Sequence, residues 1–127
     1  ENIAFGNDQV FINPYQGSLF SFNIKTNAWK NLGRPRNLTS SYYNIGLHYA
    51  DNTLYYSGGT TNAGAEHRLF GYDFNVMKWQ EKTPLLKKMY NHAVFKNGGQ
   101  LYFGLGRDKY GYDNLYIDAY NINDDPH

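Results

Sequence analysis

Apolar and polar positions alternate with a period of two through most of this chain. The runs are short and bounded by Gly, Asn and Asp, and no window carries an amphipathic helical repeat of useful length. The pattern predicts an all-β chain. Strands are expected over residues 9–13, 19–24 and 28–32, then 44–50, 53–57, 67–74 and 78–82, and finally 91–97, 100–104 and 114–122. Asp51-Asn52 and Asn97-Gly98-Gly99 have the chemistry of tight hairpins, and Lys25-Thr26-Asn27 and Asn75-Val76-Met77 close wider ones.

These strands fall into repeating units. Phe22-Asn23-Ile24-Lys25-Thr26-Asn27-Ala28-Trp29 recurs fifty positions on (29 to 79) as Tyr72-Asp73-Phe74-Asn75-Val76-Met77-Lys78-Trp79, and Tyr120-Asn121-Ile122-Asn123 follows forty-eight later (72 to 120). A second register runs without a gap at an offset of forty-seven (43 to 90). In it Tyr43-Asn44, Leu54-Tyr55-Tyr56 and Gly59 fall on Tyr90-Asn91, Leu101-Tyr102-Phe103 and Gly106. Residues that recur in phase answer a recurring packing need. Tyr72, Trp79 and the matching Trp29 are therefore expected as core rings between neighbouring units, each covering on the order of 150–250 Å². Gly58-Gly59, echoed by Gly104 and Gly106, is expected where backbone turns sharply or meets another segment.

The chain has 127 residues, enough for one domain with a core. Its 12 basic and 11 acidic residues leave a net charge of +1, so no long-range field draws it to nucleic acid or anionic lipid. Apolar runs fall well short of the roughly 20 residues that span a bilayer, and the Glu1-Asn2 start lacks the features of a signal peptide, so no membrane insertion is expected. Cysteine is absent, which removes disulfides, thiolate metal sites and thiol nucleophiles. The compartment stays open. A cytoplasmic setting is slightly favoured, and Asn37-Leu38-Thr39, a glycosylation acceptor pattern, keeps an extracellular one in view. Thirteen Tyr, eight Phe and thirteen Gly fit many short aromatic strands joined by turns with positive φ.

The paired Gly58-Gly59, the Tyr72-Asp73 dipeptide, Trp79 about six residues further and His92-Ala93 opening the next first strand together resemble the kelch repeat. The likeness covers nearly the whole chain and is best in the second unit. The first unit has Pro14-Tyr15 in place of the glycine pair, the third has Leu105-Gly106, and Asn23 and Asn121 stand where Asp is usual. The resemblance implies kelch-type β-propeller blades, four-stranded antiparallel sheets around a central axis, over residues of about 1–32, 44–82 and 91–127. The first is shortened at its front and the third lacks its outer strand. Propellers close with about 4 to 8 blades, so three form an open arc or part of a larger or oligomeric ring. The remaining blades are expected from the parent chain, a second copy or another chain.

The resemblance also implies binding through loops on one face. On those loops lie the cations Arg34, Arg36, Lys87, Lys88 and Arg107, the rings Tyr15, Tyr42, Tyr110 and Tyr112, and the polar residues Asn62, Glu66 and Asp108. Such a set could grip an acidic, extended peptide. Asp108, Asp113 and Glu66 qualify as acid/base carboxylates only by loop position. Histidines 48, 67, 92 and 127 have no metal-site spacing and are read as structural. Phosphate-binding glycine loops and Gly-x-Ser-x-Gly are absent. No cofactor or metal is expected, and the preferred function is a non-catalytic protein-interaction module. The alternative is carbohydrate binding or a sugar-directed enzyme of galactose-oxidase-like or sialic-acid-epimerase-like architecture. The copper chemistry of the former is excluded within this chain because it needs a tyrosine cross-linked to cysteine.

Overall fold

The computed structural model describes residues 3–13, 18–35, 38 and 42–123, and among them every regular element is a β-strand. In the first sheet β1 (Ile3–Gly6), β2 (Gln9–Ile12), β3 (Leu19–Asn23) and β4 (Ala28–Gly33) pair in sequence order. The second contains β5 (Gly46–Ala50), β6 (Thr53–Ser57), β9 (Leu69–Asp73) and β10 (Lys78–Lys82), with the short hairpin β7 (Thr60–Thr61) and β8 (Gly64–Ala65) set into its β6–β9 connection. The third is β11 (Ala93–Asn97), β12 (Gln100–Gly104) and β13 (Ile117–Asn121). All pairings are antiparallel. The first strands lie side by side, β5 packing on both β1 and β11.

Turn chemistry sets the registers. Asn7-Asp8 and Asp51-Asn52 hold positive φ at both central positions, the two-residue hairpin conformation that matches strand twist. The repeated aromatic–Asx dipeptide has a physical job at the outer turn. Asn23 Oδ1 accepts the amides of Lys25 and Thr26, Asp73 Oδ1 accepts that of Asn75, and Asn121 Oδ1 accepts that of Asn123. Either Asx side chain supplies the oxygen, so the Asp/Asn exchange between units costs the turn nothing.

The forty-seven-residue register also appears in backbone pairing. Tyr43 exchanges both amide bonds with Thr60, and Tyr90 does the same with Arg107. Gly58 sits at φ 57 and the residue at its place in the third unit, Leu105, at φ 63. A Cβ on Gly58 would lie 2.5 Å from the Met89 carbonyl, so glycine is required there. Leu105 is exposed and takes up the same left-handed backbone at a cost of about 1–2 kcal/mol.

Alternation sorts the side chains into two cores. Leu47, Leu54, Tyr56, Phe70 and Tyr72 of the second sheet meet Phe11, Leu19 and Leu32 of the first, while Tyr55 and Leu69 from its other face meet Leu101 and Phe103 of the third. Fully burying one such side chain contributes about 1.5–3 kcal/mol. Tyr49 stacks on Phe11 with ring centroids 5.4 Å apart and fills the space over Gly6, where a Cβ would collide with the ring. Trp79 meets the seam expectation: it packs edge-on against Tyr72 and Tyr56, and its indole N–H donates to the Leu32 carbonyl at 2.9 Å.

Trp29 departs from that expectation. It pairs with Phe22 as Trp79 pairs with Tyr72, yet it is 61% exposed. What stands opposite explains the difference. Phe5, Val10, Phe22 and Trp29 share the face of the first sheet opposite Phe11, turned away from the second sheet, and no described residue covers them; Phe5 is 67% exposed.

His92 lies between the second and third sheets, 2% exposed, with Nε2 2.9 Å from Ser57 Oγ. The Ser57 hydroxyl lies within hydrogen-bond reach of the Gly46 carbonyl as well, at 3.3 Å, and Nδ1 has no partner among the described residues. Burial drives this imidazole from 6.5 down to about 4. The unfolded chain takes up a proton near pH 6.5 and the folded chain only near 4. The stability at stake is intact above the first value and lost as pH falls to the second, about 3 kcal/mol in all. Burial and the nearby Lys96 lower His48 as well, which adds to the loss.

Two outcomes are expected. In urea unfolding at pH 7 and pH 5, the acid-induced drop in stability should be clearly shallower for His92→Gln than for the parent; an equal drop would show that His92 is not its source. Leu105→Gly, which relieves the left-handed strain but frees the unfolded backbone, should raise stability by up to about 1 kcal/mol at pH 7.

Candidate functional site

The β6–β9, β10–β11 and β12–β13 connections leave the same end of the sheets, because hairpin turns within an antiparallel meander alternate between its two ends. The first strands share a direction: Asn91 donates its amide to the Asn44 carbonyl at the starts of β11 and β5, and Tyr49 covers Gly6 at the ends of β5 and β1. Backbone hydrogen bonds fix the connections to one another. Leu85 donates to the His67 carbonyl, Met89 to that of Glu66, and Gly59 to that of Met89, which ties residues 85–89 to the end of the β6–β9 loop. On the other side the Leu86 amide donates to the buried Asp118 carboxylate at 2.7 Å.

The loop after β12 is closed by its own acid. Asp108 Oδ1 accepts the amides of Tyr110 and Tyr112, and its backbone exchanges further bonds with Tyr112 and Gly111, the latter at φ 82. Arg107 ion-pairs with Asp113 at 3.5 Å and donates to the Gly111 carbonyl.

Between these segments lies a cleft of about 370 Å³, lined by His67, Leu86, Lys87, Lys88, Asp108, Lys109 and Tyr110. Three lysines and one carboxylate are among its lining residues, and none of the three lysines is in an ion pair among the described residues. Lys109 Nζ stands over the Tyr110 ring at 5.1 Å and Lys87 Nζ over the Tyr116 ring at 4.7 Å. Leu86 and Tyr110, 75% and 71% exposed, add apolar surface beside the charge. The cleft can hold an anion and an adjoining apolar group.

The cleft gathers four of the residues singled out from the sequence: Lys87, Lys88, Asp108 and Tyr110. Tyr112 is exposed in the same loop, and Arg107 braces that loop through Asp113. Asn62 is exposed at the β7–β8 turn, and the Glu66 carboxylate accepts a bond from the Thr61 hydroxyl. Arg34 is exposed on the segment after β4. Tyr42 is buried instead of presented, its ring 6.2 Å from that of Tyr56. Burial, with the Glu66 carboxylate adding, pushes its phenol up, against the Arg68 guanidinium that hydrogen-bonds it. Tyr15, Arg36 and the glycosylation candidate Asn37 lie outside the described residues, as does His127.

His67, Leu86 and Lys109 line the cleft without having been singled out as binding residues. Lys109 was legible, since it sits between Asp108 and Tyr110, whereas His67 joins only through the backbone bond that brings Leu85 to it. All three loop carboxylates are engaged locally: Asp108 by backbone amides, Asp113 by Arg107 and Glu66 by Thr61. Among the described residues no three His, Cys, Asp or Glu side chains gather as metal ligands would. No protein-family model matches the sequence.

The loop geometry depends on the Asp108 oxygen. Asp108→Asn, which keeps an acceptor, should leave amide hydrogen exchange at Tyr110 and Tyr112 near the parent rate, whereas Asp108→Ala should speed both; unchanged exchange in the alanine variant would remove Asp108 as the organiser.

Proposed function

We propose that this chain is a set of kelch-type propeller blades serving as a non-catalytic protein-interaction module, which takes an acidic, extended peptide in the cleft between its loops. The observation that carries this reading is that Lys87, Lys88 and Lys109 line a single cleft with one carboxylate among its described residues, Asp108, whose Oδ1 accepts two backbone amides. Ammonium groups without carboxylate partners favour an anionic ligand, and the exposed Leu86 and Tyr110 give a peptide apolar footing beside it.

The propeller assignment is supported by three antiparallel sheets with adjacent first strands, by the Tyr43 and Tyr90 bridges repeated at forty-seven residues, and by the indole bond across the first seam. The exposed face carrying Phe5 and Trp29 is the counterpart of the one that the second sheet buries on the first. It calls for a further sheet, supplied by more of the same chain, a second copy or another protein.

Binding of an Asp/Glu-rich peptide library, followed by fluorescence anisotropy, should weaken about tenfold in a Lys87→Ala, Lys88→Ala double variant and lose much of its salt dependence, with the melting temperature unchanged because both residues are exposed. Glycan-array binding that survives this double variant but vanishes with Tyr110→Ala or Tyr112→Ala would instead support the sugar-binding alternative.

A further inference from the structure

We infer that the anion this cleft selects is a phosphate monoester on the bound peptide, a phosphorylated side chain in preference to Asp or Glu; this rests on the peptide-binding reading above. Two observations bear on the choice. The first is which cations are available. The planar, two-pronged guanidinium grips carboxylate and phosphate alike; with Arg68 and Arg107 engaged elsewhere, the amount of charge and not fork geometry decides between the two anions here. Arg107 is held by Asp113 and the Gly111 carbonyl, and Arg68 makes two bonds of 2.9 Å to Glu81. Among the described residues no arginine lines the cleft. Its cations are lysines, compact point charges with rotatable donors that suit the tetrahedral oxygens of a phosphate.

The second is the amount of charge. Lys87, Lys88 and Lys109 against Asp108 leave the cleft a formal excess of two positive charges, histidine left out of the count. One carboxylate offsets half of that excess, whereas a phosphate monoester carries about −1.5 to −2 at pH 7. Leu86 and Tyr110 flank the charged centre, so the residue next to the phosphorylated one is expected to be apolar.

The test uses the intact chain and three heptapeptide libraries that differ only at the central position: phosphoserine, glutamate or serine. The phosphoserine library should bind about tenfold or more tightly than the glutamate library. Lys88→Ala should bring the two together while leaving the melting temperature unchanged. Equal binding of the glutamate and phosphoserine libraries would overturn the phosphate preference and leave the acidic-peptide reading standing. Binding of no library would remove both. Inorganic phosphate that competes at the same concentration as the phosphopeptide would also overturn the inference, since the site would then take the free ion with no contribution from peptide.

Discussion

The structure depends on rings that mesh across a seam between sheets. The second sheet presents Tyr49, Tyr56, Tyr72 and Trp79 to the first, and the first meets them with Ala4, Gly6, Phe11, Leu19 and the Leu32 carbonyl. The contact sets ring on ring where Tyr49 stacks on Phe11, and ring on bare backbone where Tyr49 lies over Gly6. It fixes the height of one sheet on its neighbour, because Tyr49 has room only over a residue without a Cβ and the Trp79 indole reaches only one carbonyl. The second seam is arranged differently, with a buried histidine wedged among Gly46, Gly58 and Gly106 where the first has rings.

Loops carried by sheets so fixed inherit their positions. Residues 85–89 are pinned to the β6–β9 loop by backbone bonds and to the third sheet through Asp118, so the lysines that follow Leu86 extend from a held segment. Local and global charge are separate matters here. The chain as a whole carries only +1, and this says nothing against three lysines meeting in one place. A protein with no field to draw in polyanions at a distance can still select one anionic group at contact.

Much of this architecture was legible in the sequence. Strands β6, β10 and β12 coincide with the alternating runs at 53–57, 78–82 and 100–104, because each run is flanked by turn residues that leave one register open. The ends drifted where side chains intervene. β13 begins at Ile117 and not at 114, since Asn114 is buried and spends its side-chain oxygen on the Tyr116 amide. The front strand of the first unit was expected in shortened form but given no bounds, and the β7–β8 pair went unnoticed; four residues and two-residue arms are too short for alternation to register. Trp29 was misplaced because repetition identifies the role of a position without saying what stands opposite it. The cleft was half visible: repeat phase marked the loops of Lys87 and Asp108, but only the fold brings His67 beside them.

Gly58 and Leu105 share one backbone shape while sharing no side-chain chemistry. The bend after the second strand is thus dictated by the segments that press on it: the Met89 carbonyl leaves no room for a Cβ at Gly58, whereas Leu105 keeps its side chain in the open at the cost of a modest strain. Asn23, Asp73 and Asn121 tell the same story through one oxygen. The likeness among the units of this chain lies in torsion angles and acceptor atoms as well as in matching residues, so a tally of letters alone understates it.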